Sequence, residues 1–454
     1  MQKRNITDYL NKEYKDYASY VLENRAIPSV CDGFKPAARK IMNASLKGSL
    51  KDGKLYKLLV LSGDTMRLSL YSHGDASLNS NCTGLAQRWH NNLVPFDGEG
   101  QFGTLRDPKS VGSPRYLYIK HSKYMDLIYK TDQDLLEYIF DEGQYVEPTH
   151  YYPIIPTVLC NMTEGIAVGY AFHTMAYNPL HIIDACLEEL NGAKKFVEIK
   201  PYLNDLNNKQ FELQSDGTYI AKGKWKLDPK KDIMSVTDIP YNISFEAFEK
   251  LLNKYCDNGY LKDWKNYSEG NNIKYDLIFP KNQLAKEIKK DRSGNRLANH
   301  FKLISKVTPD LLWLLDENNK LKFFQDRYAV VKYFVNWRKT IYTLRKKKLV
   351  KILEEKYKNN SDLVRFIELV CKGKLKIRNR SKKDITEDMK QYKLPYSLVT
   401  STPMSKCTIE ERDALLKENE NIKKELEYIK NTSEVDMYKN DLVKLRKEIE
   451  KDFR

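Results

Sequence analysis

The amino-acid sequence predicts an α+β protein of several domains: a small helical domain, a mixed α/β domain and a long antiparallel coiled coil with a small helical knob. Three observations predict this fold class. At 454 residues the chain has room for about two to four domains of roughly 150 residues each. Hydrophobic residues make up 41% of the sequence and aromatic residues 11%, which is enough to build cores. The hydrophobic period also changes along the chain, which divides it near residues 150 and 316.

The first predicted domain, residues 1–150, begins with short helical segments. Between residues 7 and 87 glycine and proline break these segments, a pattern typical of small helical DNA-binding domains. From residue 97 to residue 118 glycine and proline are too frequent for a regular element, and we expect a long shaped loop.

The second predicted domain, residues 151–316, mixes two kinds of segment. Residues 151–160, 275–279 and 301–307 are rich in strand-forming residues, whereas residues 244–256 have helical spacing. This alternation predicts a mixed α/β domain.

The third predicted domain, residues 317–454, is long and helical. Its first helix has an apolar seam with residues spaced three, four and three apart: Phe334, Trp337, Ile341 and Leu344. A second helical stretch, which starts at Cys407, has a seam spaced four, three and four apart: Tyr438, Leu442, Leu445 and Ile449. Together they predict an antiparallel coiled coil with a knob at about 359–405, and an ordinary helical bundle is the alternative.

The charge balance indicates an acidic partner. The sequence has 77 Lys and Arg residues against 61 Asp and Glu residues, a net charge of +16. Such a surplus favours a polyanion such as nucleic acid, although a lysine-rich coat also serves solubility. No stretch approaches the roughly 18 apolar residues that span a bilayer, and the N-terminus lacks the apolar core of a signal peptide. We therefore expect a soluble intracellular protein.

Three further features are interpreted as ordinary structure. The seven cysteines are scattered singly, so neither a disulfide framework nor a structural zinc site is expected. The segment from Gly48 to Leu55 resembles a phosphate-binding loop but has leucine where a magnesium-binding hydroxyl is needed, and it predicts a turn. Asp132 and Asp134 could form a metal-binding pair, yet they open the expected helix LLEYIF (135–140), where acidic residues favour the helix start.

A basic turn is the first candidate binding element. It lies between residues 25 and 40 and leads into a predicted helix. Its cations are Arg25, Lys35, Arg39 and Lys40. Such groups, together with free amides at a helix start, can hold phosphates, and a solvated basic turn is the alternative.

A second candidate is the segment that begins at His73-Gly74-Asp75. It leads into a stretch expected to be helical through Trp89. Small and polar residues at the helix start allow close approach to a groove, as in a recognition helix. A single histidine such as His73 is more often structural than catalytic.

The sharpest chemical candidate is Arg115-Tyr116, at the end of the glycine-rich stretch. A tyrosine hydroxyl becomes a nucleophile when a neighbouring cation helps it lose its proton, and the guanidinium of Arg115 keeps its charge. The same arginine could stabilise charge on a phosphate under attack. Since the sequence contains 31 tyrosines, the pair alone does not establish catalysis.

The order and spacing of these motifs resemble the breakage-reunion subunit of type IIA DNA topoisomerases. The family's blocks are matched by Arg25 to Lys40, by His73-Gly74-Asp75, by Phe96 to Gly103 and by Arg115-Tyr116. A further block, Pro153 to Gly169, is similar to the family segment that carries an isoleucine inserted between base pairs.

The resemblance implies a fold and a chemistry. A winged-helix cleavage domain would cover 1–150, a tower domain 151–316, and a coiled coil with a dimerising C-gate the remainder. The resemblance makes Tyr116 the nucleophile of a 5′-phosphotyrosyl link, with Arg115 and His73 in the catalytic centre. The basic turn would hold the DNA backbone, and Ile166 would open a base step.

The resemblance also implies partners and cofactors. Two copies would act on double-stranded DNA, with Mg²⁺ held mainly by the TOPRIM domain of a partner and ATP hydrolysed by a partner subunit. The residues of several blocks resemble those of the eukaryotic enzymes and their T4-type phage relatives. The short separate chain favours the phage form. That form implies action in the host cytoplasm.

Two other functions remain open at this point. A non-catalytic architectural protein would use the wedge and the basic turn to bend DNA, and the coil to join two copies. A self-sufficient magnesium nuclease would use Asp132 and Asp134. The architectural alternative does not account for an arginine-tyrosine pair after a glycine-rich stretch, and the nuclease would cut without any partner and leave free ends.

Overall fold

The computed structural model describes residues 5–204, 206, 210–269, 272–377, 379–403 and 408–453. The chain forms two compact units, one of residues 1–337 with 442–454 and the other of residues 338–441. Helices and sheets are both present, which confirms the mixed α/β class. The division into three domains stays a prediction. Of the helices in the described part of the chain, none combines the length and apolar character that crossing a membrane requires.

The described residues of the N-terminal part, 5–150, form six α-helices and five strands. The helices are α1 Ile6–Tyr9, α2 Lys15–Val21, α3 Pro36–Lys47, α4 Leu58–Leu68, α5 Asp75–Gly84 and α6 Lys123–Tyr129. The strands are β1 Tyr56–Lys57, β2 Phe96–Glu99, β3 Tyr118–His121, β4 Tyr138–Asp141 and β5 Gln144–Pro148. Turns of π-helix lie at Leu10–Tyr14 and Leu22–Ala26, and 3-10 turns lie at Ser49–Asp52, Pro114–Tyr116 and Gln133–Leu135.

Helices α3, α4 and α5 pack on one another beside an antiparallel sheet of order β1-β3-β2. Helix α3 begins at Pro36, since the fixed φ of proline suits a first helical turn. Ile41 and Met42 of α3 and Leu61 of α4 are fully buried between the helices. The turn predicted at Gly48 to Leu55 is confirmed as a 3-10 turn that ends at Gly53, whose φ is 73°.

Three expectations for this part are wrong. The helix expected through Trp89 ends at Gly84, whose carbonyl accepts a hydrogen bond from Asn91 (2.8 Å) instead of continuing the helix. Strand β2 lies inside the expected loop, because Phe96–Glu99 pairs with β3 despite its glycine. Residues 138–140 of the expected helix LLEYIF belong to strand β4.

The physical reason for β4 is the turn that follows it. Glu142 and Gly143 both have positive φ, 42° and 83° respectively. Two such residues form the tight connection of a β-hairpin, which returns the chain as β5. Tertiary pairing therefore outweighs the local helical preference.

The middle part, up to residue 326, has eleven strands and four α-helices within the residues that the structure describes. The strands are β6 Thr163–Ile166, β7 Ala171–Thr174, β8 Phe211–Leu213, β9 Tyr219–Lys222, β10 Lys224–Asp228, β11 Ile233–Asp238, β12 Asp263–Asn266, β13 Tyr275–Ile278, β14 Ile304–Lys306, β15 Leu311–Leu315 and β16 Leu321–Phe324. The helices are α7 Pro179–Leu190, α8 Phe245–Asp257, α9 Gln283–Lys290 and α10 Asn295–His300. A 3-10 turn lies at Thr157–Leu159. The sheets have the orders β16-β15-β7-β6, β14-β9-β8 and β10-β11-β13-β12.

The helix expected at 244–256 is confirmed as α8. The hydroxyl of Ser244 caps it by accepting a hydrogen bond from the amide of Ala247 (3.2 Å). Phe248 and Leu252 of α8 are fully buried against the sheet of β10 to β13. The strands expected near 275–279 and 301–307 are confirmed as β13 and β14.

No strand forms at 151–160, contrary to expectation. The segment is buried but irregular, with one 3-10 turn. Pro153 and Pro156 have no amide hydrogen to donate to a sheet. For this reason the apolar residues of 151–160 do not form a strand.

The C-terminal part is helical. Its helices are α11 Arg327–Cys371, α12 Lys382–Gln391, α13 Ser397–Ser401, α14 Ile409–Asn431 and α15 Glu434–Phe453. The single second stretch expected from Cys407 is in fact two helices. The hydroxyl of Ser433 accepts a hydrogen bond from the amide of Asp436 (3.0 Å) and starts α15. Cys407 itself lies outside the described residues, as do parts of the predicted knob.

Within the unit of residues 338–441, α11 pairs antiparallel with α14. Leu353 packs with Ile422 and Ile429, while further along α11 Ser361 accepts a hydrogen bond from Asn419 (3.1 Å). The opposite order of the contacts along the two helices establishes the antiparallel pairing. The coiled-coil designation stays a prediction.

The two predicted seams have different outcomes. All four residues of the second seam are buried, as expected. In the first seam Leu344 is 47% exposed, so the prediction is wrong at that position. The buried face of α11 instead contains Tyr342, whose ring stacks on Tyr438 (4.7 Å between centroids) and whose hydroxyl donates to Asp441 (2.8 Å). Straight helices drift from a strict 3.5-residue repeat, which moves Leu344 out of the contact.

We predict that replacing Leu353 by Ala lowers the free energy of unfolding by about 2–4 kcal/mol, because it opens a cavity between α11 and α14. The matched change Leu344→Ala, on the same helix, should alter it by less than about 0.5 kcal/mol. Urea denaturation followed by circular dichroism measures both. Equal losses in the two variants would show that the first seam is buried as the sequence pattern predicted.

Candidate active site and nucleic-acid interface

Tyr116 lies at the end of a 3-10 turn, just before strand β3. Its amide donates to the carbonyl of Ser113 (2.9 Å), and the carbonyl of the next residue, Leu117, accepts from the amide of Leu58 in α4 (2.9 Å). The backbone is thus held on both sides, yet 71% of the Tyr116 surface is exposed. The structure presents this phenol on a supported backbone.

The glycine-rich stretch packs beneath Tyr116. Gly100 has a φ of 117°, and a Cβ at this position would lie 3.1 Å from the Leu117 side chain and 3.4 Å from the Tyr116 carbonyl oxygen. Both the backbone angle and the close approach require glycine here. The glycine content that predicted a loop therefore allows close packing under the backbone of Tyr116.

The stretch is also braced by the turn that follows α5. Its base is closed by the amide of Gly112, which donates to the carbonyl of Gln101 (2.8 Å). The carbonyl of Phe102 accepts from Gln87 Nε2 (2.9 Å) and Trp89 Nε1 (3.2 Å). Sequence reasoning missed these two hydrogen bonds from Gln87 and Trp89. The amino-acid sequence does not show which side-chain amide or indole will face the loop.

Arg115 and His73 are both exposed. The guanidinium of Arg115 adjoins Tyr116 along the chain, and the His73 ring packs edge-on against Tyr71, with 5.5 Å between ring centroids. Among these described side chains, no hydrogen bond joins His73, Arg115 and Tyr116. The catalytic role of His73 stays a prediction.

The basic turn does not present four free cations. Arg39 is buried and donates to Asp32 through Nε (2.8 Å) and Nη2 (3.1 Å). Burial is the largest single effect and lowers the pKa of Arg39, but the charge and hydrogen bonds of Asp32, together with nearby Cys31 and Glu147, raise the pKa overall. A guanidinium engaged in this way cannot also reach a phosphate, so the predicted DNA contact at Arg39 is replaced by a structural role.

Lys40 is engaged as well. Its Nζ donates to the carbonyl of Ser69 (2.7 Å) and to Glu147 (2.9 Å), which ties α3 to the end of α4 and to β5. These bonds give Lys40 a structural role, and its predicted phosphate contact stays a prediction. The sequence pattern could not distinguish these inward cations from Arg25 and Lys35.

Arg25, Lys35 and Ile166 are brought together. Nζ of Lys35 donates to the carbonyl of Glu164 in β6 (2.8 Å). Gly165 packs so closely on the carbonyl of Ala26 that an added Cβ would lie 2.0 Å from it. Burial lowers the pKa of Lys35, and the charge of Glu164 opposes that effect. The strand that carries Ile166 is thus packed directly on the basic turn.

Ile166 lies at the tip of the β6–β7 hairpin and is 83% exposed. Gly169, with a φ of 78°, lies in this turn, and the amide of Ala167 donates to the carbonyl of Tyr170 (2.8 Å). Val168 and Tyr170 are exposed beside it. Sequence reasoning missed these two residues, although their alternate spacing after Ile166 was a usable signal.

An open cleft of about 550 Å³ connects these elements. Arg25 and Lys35 line one side, Ser80 and Asn81 of α5 line another, and Glu164 of β6 lies at its edge. Helix α5 lines this cleft beside the two cations and the hairpin, and its comparison with a recognition helix stays a prediction. The arrangement can hold an anionic chain and present an apolar wedge to it.

The remaining sequence candidates are the acidic pair and the cysteines. Asp132 is buried, and no three His, Cys, Asp or Glu side chains of the described residues are arranged to hold a metal ion. Four cysteines are buried as free thiols: Cys31, Cys82, Cys160 and Cys186.

Known proteins are similar to this chain in sequence. A family model for the A subunit of DNA gyrase/topoisomerase IV matches residues 25–445. Mitochondrial DNA topoisomerase 2 of Dictyostelium discoideum is 31% identical over 387 residues, which are 84% of this chain and 29% of the relative. The DNA topoisomerase medium subunit of Enterobacteria phage T4 is 28% identical over 455 residues, which are 98% of this chain and 100% of the relative.

A solved structure is also similar. The DNA-binding, cleavage and re-ligation domain of topoisomerase II from Plasmodium falciparum superposes with a TM-score of 0.85 and 26% sequence identity. The match covers 98% of this chain and 64% of that chain. This chain therefore spans less than a third of the Dictyostelium relative (29%) but the full length of the T4 subunit (100%).

We predict that Arg39→Met lowers the free energy of unfolding by about 3–5 kcal/mol, because it leaves the Asp32 carboxylate buried without its partner. The control is Arg67→Met, which removes an exposed ion pair with Asp64 (3.3 Å) and should cost less than about 1 kcal/mol. Denaturant unfolding of both variants measures the difference. A small loss in both would show that Arg39 is dispensable for the fold.

Proposed function

The chain belongs to the family of DNA gyrase and topoisomerase IV A subunits, and on this basis we propose that it is the DNA-cleaving and religating subunit of an ATP-dependent type II DNA topoisomerase. The observation that carries the proposal is the exposed Tyr116, adjacent to Arg115, on a backbone held at Ser113 and Leu117. The full-length similarity to the T4 medium subunit supports a separate cleavage subunit.

The proposed chemistry is a reversible transesterification. The Tyr116 hydroxyl oxygen attacks a backbone phosphorus, a 5′-phosphotyrosyl bond forms, and the bond to the 3′ oxygen breaks to leave a 3′-hydroxyl. One phosphoester replaces another, so the 3′-hydroxyl can reseal the strand by the reverse reaction. Arg115 orients the phosphate and stabilises its developing charge, and His73 positions the phosphate or moves a proton.

The family's reaction also uses Mg²⁺ and ATP. The described residues do not fit a magnesium site, since no three acidic, histidine or cysteine side chains converge. The proposal therefore assigns Mg²⁺ mainly to the TOPRIM domain of a partner chain and ATP to a partner ATPase.

DNA binding is assigned to the cleft beside the basic turn. Arg25 and Lys35 contact the phosphate backbone without reading sequence, and α5 lies along the groove. The exposed Ile166 enters a base step and bends the duplex there. Closely packed Gly165 gives the hairpin the rigid support that an inserted side chain needs.

Two copies of the chain are required, because each tyrosine cuts one strand of a duplex. One contact between them would form through the cleavage domain and the other through the knob, whose core includes Phe366, Ile385 and Met389. The break would let a second duplex pass, which relaxes and decatenates DNA. A phage-encoded subunit would act in the host cytoplasm.

We predict that wild-type protein, mixed with its ATPase/TOPRIM partner, Mg²⁺ and end-labelled duplex, retains label covalently after denaturation in detergent. Tyr116→Phe should reduce the trapped label by at least about 10³-fold, because it lacks the attacking oxygen. Tyr118→Phe, two residues away and also exposed, is the matched control and should trap label like wild type. Affinity for the duplex should be equal in all three proteins.

Failure of wild type to trap DNA under any partner and metal condition, while it still bends the duplex, would favour a non-catalytic architectural function. Trapping that persists in Tyr116→Phe would move the nucleophile to another residue. Cleavage that leaves free ends would indicate a nuclease.

A further prediction concerns the wedge. Ile166→Ala should straighten bound DNA, reducing the bend by at least about half, since an unstacked step otherwise costs a few kcal/mol that the inserted side chain offsets. Ile139→Ala, in the exposed β4 strand, is the control. Energy transfer between dyes at the duplex ends reports the bend, and an unchanged transfer efficiency in Ile166→Ala would exclude Ile166 as the wedge.

A further inference from the structure

Arg106 is a buried cation in the glycine-rich stretch that the proposed mechanism does not use. Its guanidinium is 9% exposed and donates to the carbonyls of Ile239 (2.5 Å), Pro240 (2.5 Å) and Ile243 (3.2 Å). The carboxylate of Asp238 lies 3.4 Å away. One side chain therefore serves three carbonyls of the connection between β11 and α8.

The backbone of Arg106 joins the same connection. Its carbonyl accepts a hydrogen bond from the amide of Phe245, the first residue of α8 (2.9 Å). Nearby, Lys109 pairs with Glu246 of α8 (3.1 Å), but both of these side chains are largely exposed. Arg106 is the buried part of this contact, and Lys109 is its solvent-exposed neighbour.

Arg106 lies at the tip of the loop formed by residues 101–112, here called the excursion. The base of this loop supports Tyr116. At the tip, the amide of Thr104 donates to the carbonyl of Asp107 (3.0 Å), and the reverse bond is 3.2 Å long. At the base, Gly112 closes onto Gln101, four residues before Tyr116. Hydrogen bonds at both ends make the excursion a short stiff connection between the β11–α8 segment and the tyrosine.

A guanidinium suits this position. It does not lose its proton in proteins, and its planar fork of five donors can serve several carbonyls at once. Three carbonyls and a carboxylate around one charge hold the tip against small displacements. Lysine would offer one nitrogen and could serve only part of this set.

We propose that Arg106 is a positioning residue for the cleavage reaction: it holds the β11–α8 segment against the excursion and thereby sets the position from which Tyr116 attacks. The inference rests on the proposed function of Tyr116. Displacing a reacting group by about 1 Å can cost about 10²-fold in rate. Arg106 touches neither the tyrosine nor the cleft, so it acts on rate and not on duplex binding.

The test measures the single-turnover rate of covalent complex formation at saturating duplex, with partner and Mg²⁺, alongside duplex affinity. Arg106→Gln should lower the rate by at least about tenfold and change the affinity by less than about twofold. Arg106→Lys should recover part of the rate. Lys109→Gln, at the exposed edge of the same contact, should keep the wild-type rate.

Asp238→Asn gives an independent arm. It should lower the rate in the same direction, and the double variant with Arg106→Lys should fall by less than the product of the single effects, because the two residues act as a unit. If Arg106→Gln does not fold, the Asp238→Asn and Arg106→Lys variants test the proposal without it. A lower rate of covalent complex formation at unchanged duplex affinity in these variants supports the proposal.

Wild-type rates in the Arg106 and Asp238 variants would overturn the inference, and so would a loss of affinity in step with rate. Absence of covalent complex in wild type would instead overturn the proposed function itself. The two failures are therefore distinguishable within one set of assays.

Discussion

The buried ion pair between Asp32 and Arg39 is the interaction on which the candidate interface depends. Besides Arg39, Asp32 accepts hydrogen bonds from the amides of Phe34 (3.0 Å) and Tyr151 (3.0 Å), and its carbonyl accepts from Thr157 (2.8 Å). A single residue thus joins the basic turn, helix α3 and the irregular segment before β6. A buried carboxylate is tolerated only when fully bonded, so the three segments have one arrangement in which Asp32 is satisfied.

Two side chains gain their importance from being exposed on supported backbone. Tyr116 stands over Gly100, and Ile166 follows Gly165, and in both places glycine allows an approach that a Cβ would prevent. The remote contact at Arg106 extends the same support away from the tyrosine. Such preorganisation holds the phenol of Tyr116 and the side chain of Ile166 in one geometry relative to a bound ligand.

Positive charge has two separate uses in this chain. Part of the surplus of +16 is available at the surface, as at Arg25. Other cations are turned inward, where Arg39, Lys40 and Arg106 satisfy carbonyls and carboxylates that would otherwise be buried without partners. Each of these three is paired with a carboxylate, so the pairs cancel in the net charge and the surplus of +16 comes from other residues.

The mixed α/β class and the antiparallel direction of the helices in 338–441 could be predicted from the sequence, because they follow from local periodicity. The candidate site at Arg115-Tyr116, with Ile166 as wedge, is implied by the family resemblance and stays a prediction. Tertiary packing selects which cations face inward, pairs residues 138–141 as a strand, turns Leu344 to solvent and brings Arg106 to the β11–α8 segment. Each of these outcomes depends on groups outside the local pattern, as Glu147 does for Lys40, β5 for β4 and Ile239 for Arg106. Local pattern specifies what a segment can form, whereas burial against a distant partner selects which of its polar and apolar groups are satisfied.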